Sequence, residues 1–123
     1  MQPTPRGRSH ALTKILVLGG LIALAGCQWT GQGPVTLSSF SAAGYSDYDD
    51  IIGDKAFALT TDGRWFGYAY CTDVRCSGNE ENEAMRVCEQ GAEEQGLPGG
   101  ECRIFARDNT IVWDGQVNFP DDT

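Results

Sequence analysis

The sequence predicts an α+β fold: a small four-stranded antiparallel sheet with one helix, in the order β-β-α-β-β, stapled by disulfides. Three observations carry that expectation. Two aromatic-rich runs, KAFALT and RWFGYAYC, are joined by Asp62-Gly63, a strong short-range hairpin signal. Ala84, Val87, Cys88, Gly91 and Ala92 recur at helical spacing through an otherwise charged stretch. A second pair of strand-like runs, CRIFAR and TIVWD, flanks Asp108-Asn109.

Each element can be justified in order. With Asp62-Gly63 at the turn, Leu59 faces Phe66 and Phe57 faces Tyr68. The bulky residues then share one face, and Ala56, Ala58, Gly67 and Ala69 share the other. The helix has Asn79 as its N-cap, Glu80, Glu81 and Glu83 near its positive end, and a stop at Gly96 and Pro98. In the second hairpin Ile104, Ala106, Ile111 and Trp113 lie with Cys102 on the inward, bulky face, and Arg103 meets Asp114 as a cross-strand charge pair. One helix covers one face. The other face, carrying Trp65, Arg103, Phe105, Arg107 and Val112 around a floor of Ala and Gly, is left to solvent, the preceding segment or a partner. Phe40 and Tyr45 are the apolar residues of that segment at hand to cover it.

The start of the chain has a different character. Arg6, Arg8 and Lys14 precede the uncharged run ILVLGGLIALA at 15–25, with no acid among them. A basic flank and a short apolar core describe an export signal. As a helix the run spans about 17 Å against a hydrocarbon core of about 30 Å, too short for a permanent span. It ends Leu24-Ala25-Gly26-Cys27, which resembles the lipobox of bacterial lipoproteins. That resemblance implies cleavage before Cys27, a lipid thioether on its sulfur and acylation of the new amino group. Several acyl chains supply the anchoring that one chain cannot. With Gln28 where Asp is associated with inner-membrane retention, the resemblance favours the outer membrane, facing the periplasm. The expected organisation is a signal peptide at 1–26, a Gly/Ser-rich flexible tether at 27–54, the domain at 55–118 and a disordered tail at 119–123.

Cysteine number and charge narrow the chemistry. Lipidation of Cys27 accounts for one of five cysteines and leaves Cys71, Cys76, Cys88 and Cys102. Their spacing, C-x4-C-x11-C-x13-C, lacks the paired C-x2-C knuckles of zinc sites, and an oxidising compartment favours disulfides. Cys88 on the helix stripe and Cys102 at the inward end of the third strand are natural partners, with Cys71–Cys76 pinning the preceding loop. A domain of about 60 residues needs such staples, and closing a loop of about 15 residues is worth about 3 kcal/mol in the chain-entropy model. Without the signal, six basic residues face seventeen acids, a net charge of −11. Such a polyanion has no electrostatic footprint for nucleic acid, and its contact with the lipid bilayer must come from acylated Cys27. Asp47, Asp49, Asp50 and Asp54 lack the EF-hand order and read as a solvated turn. His10, the only histidine, leaves with the signal, so no His-dependent nucleophile or metal ligand remains.

KAFALTTDGRWFGYAY, the Ala84-to-Cys88 spacing and CRIFA together resemble the small secreted domains grouped as domain of unknown function 4189. The resemblance implies a small exported α+β module and no established chemistry. The function expected is a non-catalytic, membrane-anchored binding module with an envelope protein or glycan as partner. Its binding face carries Trp65, Arg103, Phe105 and Arg107, with no cofactor and no metal. The alternatives are a small carboxylate-based hydrolase or thiol oxidoreductase, although no C-x-x-C is present, and a purely structural or stress-related lipoprotein.

Overall fold

The structure is a computed structural model that describes residues 29–73, 78–97 and 101–121. Cys27 and Cys76, and with them the expected lipidation and the Cys71–Cys76 closure, lie outside the described residues. Among those residues the chain runs β1 (Val35–Thr36), α1 (Ser39–Asp49), β2 (Asp54–Thr60), β3 (Phe66–Cys71), α2 (Glu80–Glu94), β4 (Cys102–Arg107), β5 (Thr110–Ile111) and β6 (Val117–Asn118). The fold is α+β, with an antiparallel sheet ordered β3-β2-β4-β5. Among the described residues it has two helices where the sequence predicts one.

β2 explains the second helix. All its residues from 55 to 60 are buried, so both faces of the sheet are covered. Phe57 and Leu59 point into one cluster with Tyr48, Phe105 and Trp113, and Ala56 and Ala58 into another with Ala84, Cys88 and Ile104. The β2–β3 register is the predicted one, Leu59 opposite Phe66 and Phe57 opposite Tyr68. α2, however, lies on the Ala/Gly face and not on the bulky one. A Cβ at Gly67 would run into the backbone of Cys88, so helix and sheet touch through their smallest residues. That closeness lets Cys88 bond to Cys102, with Cα atoms 6.2 Å apart. α2 ends in a Schellman motif, Leu97 N–H donating to Ala92 O and Gly96 N–H to Glu93 O, with Gly96 at φ 66°.

The aromatic face is covered by the segment expected as a tether. Ser38 accepts a hydrogen bond from Ser41 N–H at 3.1 Å and opens α1. Ser41, Gly44 and Tyr48 are buried at helical spacing, and Tyr45 meets Phe57 and Phe105 edge-on at 5.3 Å. The Tyr48 hydroxyl donates to Asp108 O at 2.7 Å. Burial, and then the neighbouring Tyr45, Asp108 and Asp49, push its pKa up. Lys55, 3% exposed, sits against the C-terminal end of α1 and donates to the carbonyls of Tyr48 (2.9 Å), Asp49 (3.1 Å) and Ile51 (2.5 Å). Its ammonium is thereby satisfied and placed where the helix dipole is negative, beside carboxylates that the same dipole disfavours. The run expected as a solvated acidic turn is therefore a helix end closed by a buried cation.

The tether reading fails still earlier in the chain. Residues 29–33 run parallel to β4 on one side and to the stretch around Asp114 on the other. Ile104 N–H donates to Trp29 O at 2.6 Å, Gly31 N–H to Ile104 O at 3.2 Å, Asp114 N–H to Gly31 O and Gly33 N–H to Asp114 O, both at 2.8 Å. β1 then pairs in parallel with β6. The Trp113 ring lies where a Cβ on residue 31 would be, so Gly31 admits it, and its Nε1 donates to Gly33 O at 2.8 Å. This intrusion separates the predicted Arg103–Asp114 pair, and Arg103 bonds Glu101 instead at 3.2 Å. The hairpin keeps its predicted pairs, Ala106 with Ile111 and Arg107 with Thr110, before it opens. Phe119, expected in a disordered tail, lies 5.9 Å from the Tyr45 ring.

Lys55→Met keeps most of the side-chain volume and removes the ammonium. We expect it to lower unfolding free energy by about 2 kcal/mol in urea denaturation, the scale of charge-assisted hydrogen bonds left unmade. A change under about 0.5 kcal/mol would show that the cation does not hold α1.

Candidate functional site: an aromatic cleft between the helices

The four residues predicted to share a binding face are not brought together. A bulge where β4 passes Phe57 and Ala58 is responsible. Phe105 and Ala106 both fall against Phe57, so the alternation of faces reverses at that point. Cys102 and Ile104 turn to the α2 side, and Phe105 turns into the aromatic core, where its exposure is 0%. Arg107 and Val112 are on the Ala/Gly side as predicted, but α2 covers it. Arg107 makes a two-pronged bond to Glu81 of α2 at 2.5 and 3.1 Å, and this hydrogen bonding raises the guanidinium pKa against the effect of burial. Arg103 lines a surface depression with Trp29, Met85 and Glu89. The positive aromatic patch expected from sequence is therefore dispersed.

Trp65 remains at the surface, in different company. Its ring lies 4.9 Å from that of Phe40, and Phe40 in turn lies 5.1 Å from Phe66. Gly91 of α2 faces the indole, and Val87, Gln90 and Glu94 close the other wall of a cleft of about 270 Å3. Phe40 is 52% exposed, so an aromatic surface stays open to solvent between the two helices at the β3 edge. Trp65 is held by its backbone: Trp65 N–H donates to Thr60 Oγ1 at 3.0 Å and Thr60 N–H to Trp65 O at 2.9 Å. The Thr60 hydroxyl donates to Asp62 at 2.8 Å. Burial raises the Asp62 pKa, but hydrogen bonds from Arg64 and Thr60 outweigh it and hold the carboxyl below its ordinary value. The loop is thus fixed from both ends, and the cleft is preformed.

Its chemistry is apolar with polar acceptors at the rim. Two aromatic faces can stack on a planar, aliphatic or cationic group, and Gln90 and Glu94 can accept hydrogen bonds from it. A larger groove of about 590 Å3 runs between α1 and the chain's own C-terminal stretch, with Ala42, Ala43 and Ser46 on one wall and Phe119 and Pro120 on the other. It offers small side chains where the cleft offers aromatic faces. Among the described residues no group of His, Cys, Asp and Glu is arranged to hold a metal ion, and no helix is long and apolar enough to cross a membrane.

Sequence reasoning named Trp65 for the binding face, took Phe40 only as a residue at hand to cover that face, and missed the wall formed by α2. The signal for Phe40 was Ser38-x-x-Ser41, a helix start that places residue 40 in the first turn. No family model, curated protein or solved structure matches the chain.

Phe105 in the core and Phe40 in the cleft should lose different amounts of stability on truncation. Phe105→Ala empties a core position and is expected to cost about 3–5 kcal/mol in thermal or chemical denaturation. Phe40→Ala removes a half-exposed ring and is expected to cost under about 1.5 kcal/mol. Equal costs would contradict the assignment of Phe40 to an open cleft.

Proposed function

We propose that this chain is a bacterial cell-envelope lipoprotein whose domain acts as a small, non-catalytic binding module. The signal is cut before Cys27, acyl chains on that residue hold the protein to the membrane facing the periplasm, and Gln28 favours the outer membrane. The Cys88–Cys102 disulfide supports an oxidising compartment. A Cys71–Cys76 bridge and membership of the small exported modules grouped as domain of unknown function 4189 belong to the same proposal.

The observation that carries the binding role is the Phe40–Trp65 cleft. A soluble domain gains stability by burying large aromatic rings, and this one has the core to do so. Phe40, in the first turn of α1, and Trp65, on a pinned loop, instead form a surface open to solvent, the kind of anchor point around which interfaces form. The lining sets the chemistry of the occupant. Arg103 and Arg107 are engaged by Glu101 and Glu81, whereas Glu94 borders the cleft. An apolar or basic side chain of an envelope protein suits that lining better than an acidic group.

Site-specific photocrosslinking tests this. A benzophenone side chain at position 90 of the lipoprotein in intact cells should give a discrete protein adduct, and Phe40→Ala should abolish it without changing abundance. No adduct, or one indifferent to Phe40, would overturn the reading. Retention on isolated peptidoglycan that depends on Phe40 would assign the cleft to a glycan.

A further inference from the structure

We infer that the acylated domain has no stalk and rests directly on the bilayer, with the Trp29 indole in the headgroup layer. The inference depends on the lipid-anchored reading above and adds to it where the domain stands. Its basis is the point at which the chain becomes part of the sheet. Trp29 O accepts from Ile104 N–H at 2.6 Å, and Gly31, two residues on, is bonded to both Ile104 and Asp114. Position 29 is therefore fixed to β4.

Only Gln28 lies between that fixed point and the residue that would carry the lipid. Two trans peptide links reach about 7 Å at full extension. The headgroup region on each side of a bilayer is about 5–7 Å deep. A domain joined to acyl chains by so short a link cannot stand clear of the surface, and the first folded residue must lie at the headgroups.

That residue suits the position. The Trp29 side chain is 56% exposed, and an indole, apolar with one N–H donor, partitions to the membrane interface. Met85, which is buried, and Arg103, which is bonded to Glu101, line the depression beside it. Glu89 and Glu101 are also nearby, so charge does not draw this end to anionic lipid. The short link and the indole do the seating. Trp65 is paired with Thr60, Thr60 with Cys102, and residues 29–31 flank β4 on its other side. The cleft therefore opens near the same end of the sheet, about three strand spacings or 14 Å across. A partner in the cleft is met close to the membrane surface.

The test uses the lipoprotein extracted from membranes, with its mass measured and then reconstituted in phosphatidylethanolamine/phosphatidylcholine vesicles whose acyl chains are brominated near the headgroups. Tryptophan emission should be partly quenched. Trp29→Phe should lose the quenched fraction, and so should a variant with a Gly/Ser segment inserted between Gln28 and Trp29, both with unchanged far-UV circular dichroism and unfolding midpoint. Lipidated protein that shows no quenching, or quenching that survives Trp29→Phe, would overturn the seating and leave the anchor intact. An unmodified Cys27 in the mass spectrum would overturn the anchor itself, and the seating with it.

Discussion

A strand buried on both faces is the constraint on which the rest of this structure depends. β2 alternates Ala56 and Ala58 with Phe57 and Leu59, and all four are fully or almost fully inaccessible. Such a strand cannot sit in a two-layer sheet with one face in water. The two faces also need different covers. The alanine face, continued by Gly67, offers little volume, so only a helix approaching with its own small residues fills the space. α2 does this with Ala84, Cys88 and Ala92. The disulfide to Cys102 then closes a gap that packing has already narrowed.

The aromatic face needs volume, and the segment before β2 covers it together with Trp113 and Val117 from the end of the chain. Tyr45 and Tyr48 supply the rings, and Lys55 holds the end of the helix that carries them. Reaching that face from the far edge of the sheet takes a strand, and residues 29–33 provide it between β4 and the stretch around Asp114. Trp113 locks the strand by lying over Gly31 and bonding Gly33. Core formation thus consumes the residues that would otherwise make a linker. The functional consequence is positional. On the proposed reading, a module that binds at the Phe40–Trp65 cleft would do so from a fixed place beside its anchor.

What the sequence made legible was local. Both hairpin registers followed from their turn residues, and the end of α2 from Gly96. The Cys88–Cys102 pairing followed from the helix stripe, although the stripe packs on the opposite sheet face. What escaped was written in residues without a hydrophobic signature. α1 packs through Ser41 and Gly44, and Gly44 matters because the Phe66 ring lies where its side chain would be. A period read from apolar residues does not register such a helix. The bulge that buries Phe105 depends on how β4 meets β2, since no Gly or Pro marks it in CRIFAR. The parallel pairing of residues 29–33 is long-range, joining Gln32 to Asp114 with no turn between them to announce it. Of the cleft residues, Trp65 was named from the strand register as part of an open sheet face, whereas the position of Phe40 depended on the missed helix.

The central claim is that the chain is part of the sheet from residue 29 onward. Native-state amide hydrogen exchange tests it at single residues. Gly31, Gly33 and Asp114 donate only within the inserted ladder. They should exchange through the same global unfolding as the amides of β2, with comparable free energies of opening. Exchange of these three at unpaired-peptide rates, with β2 still protected, would contradict the account and restore a linker where it places a strand.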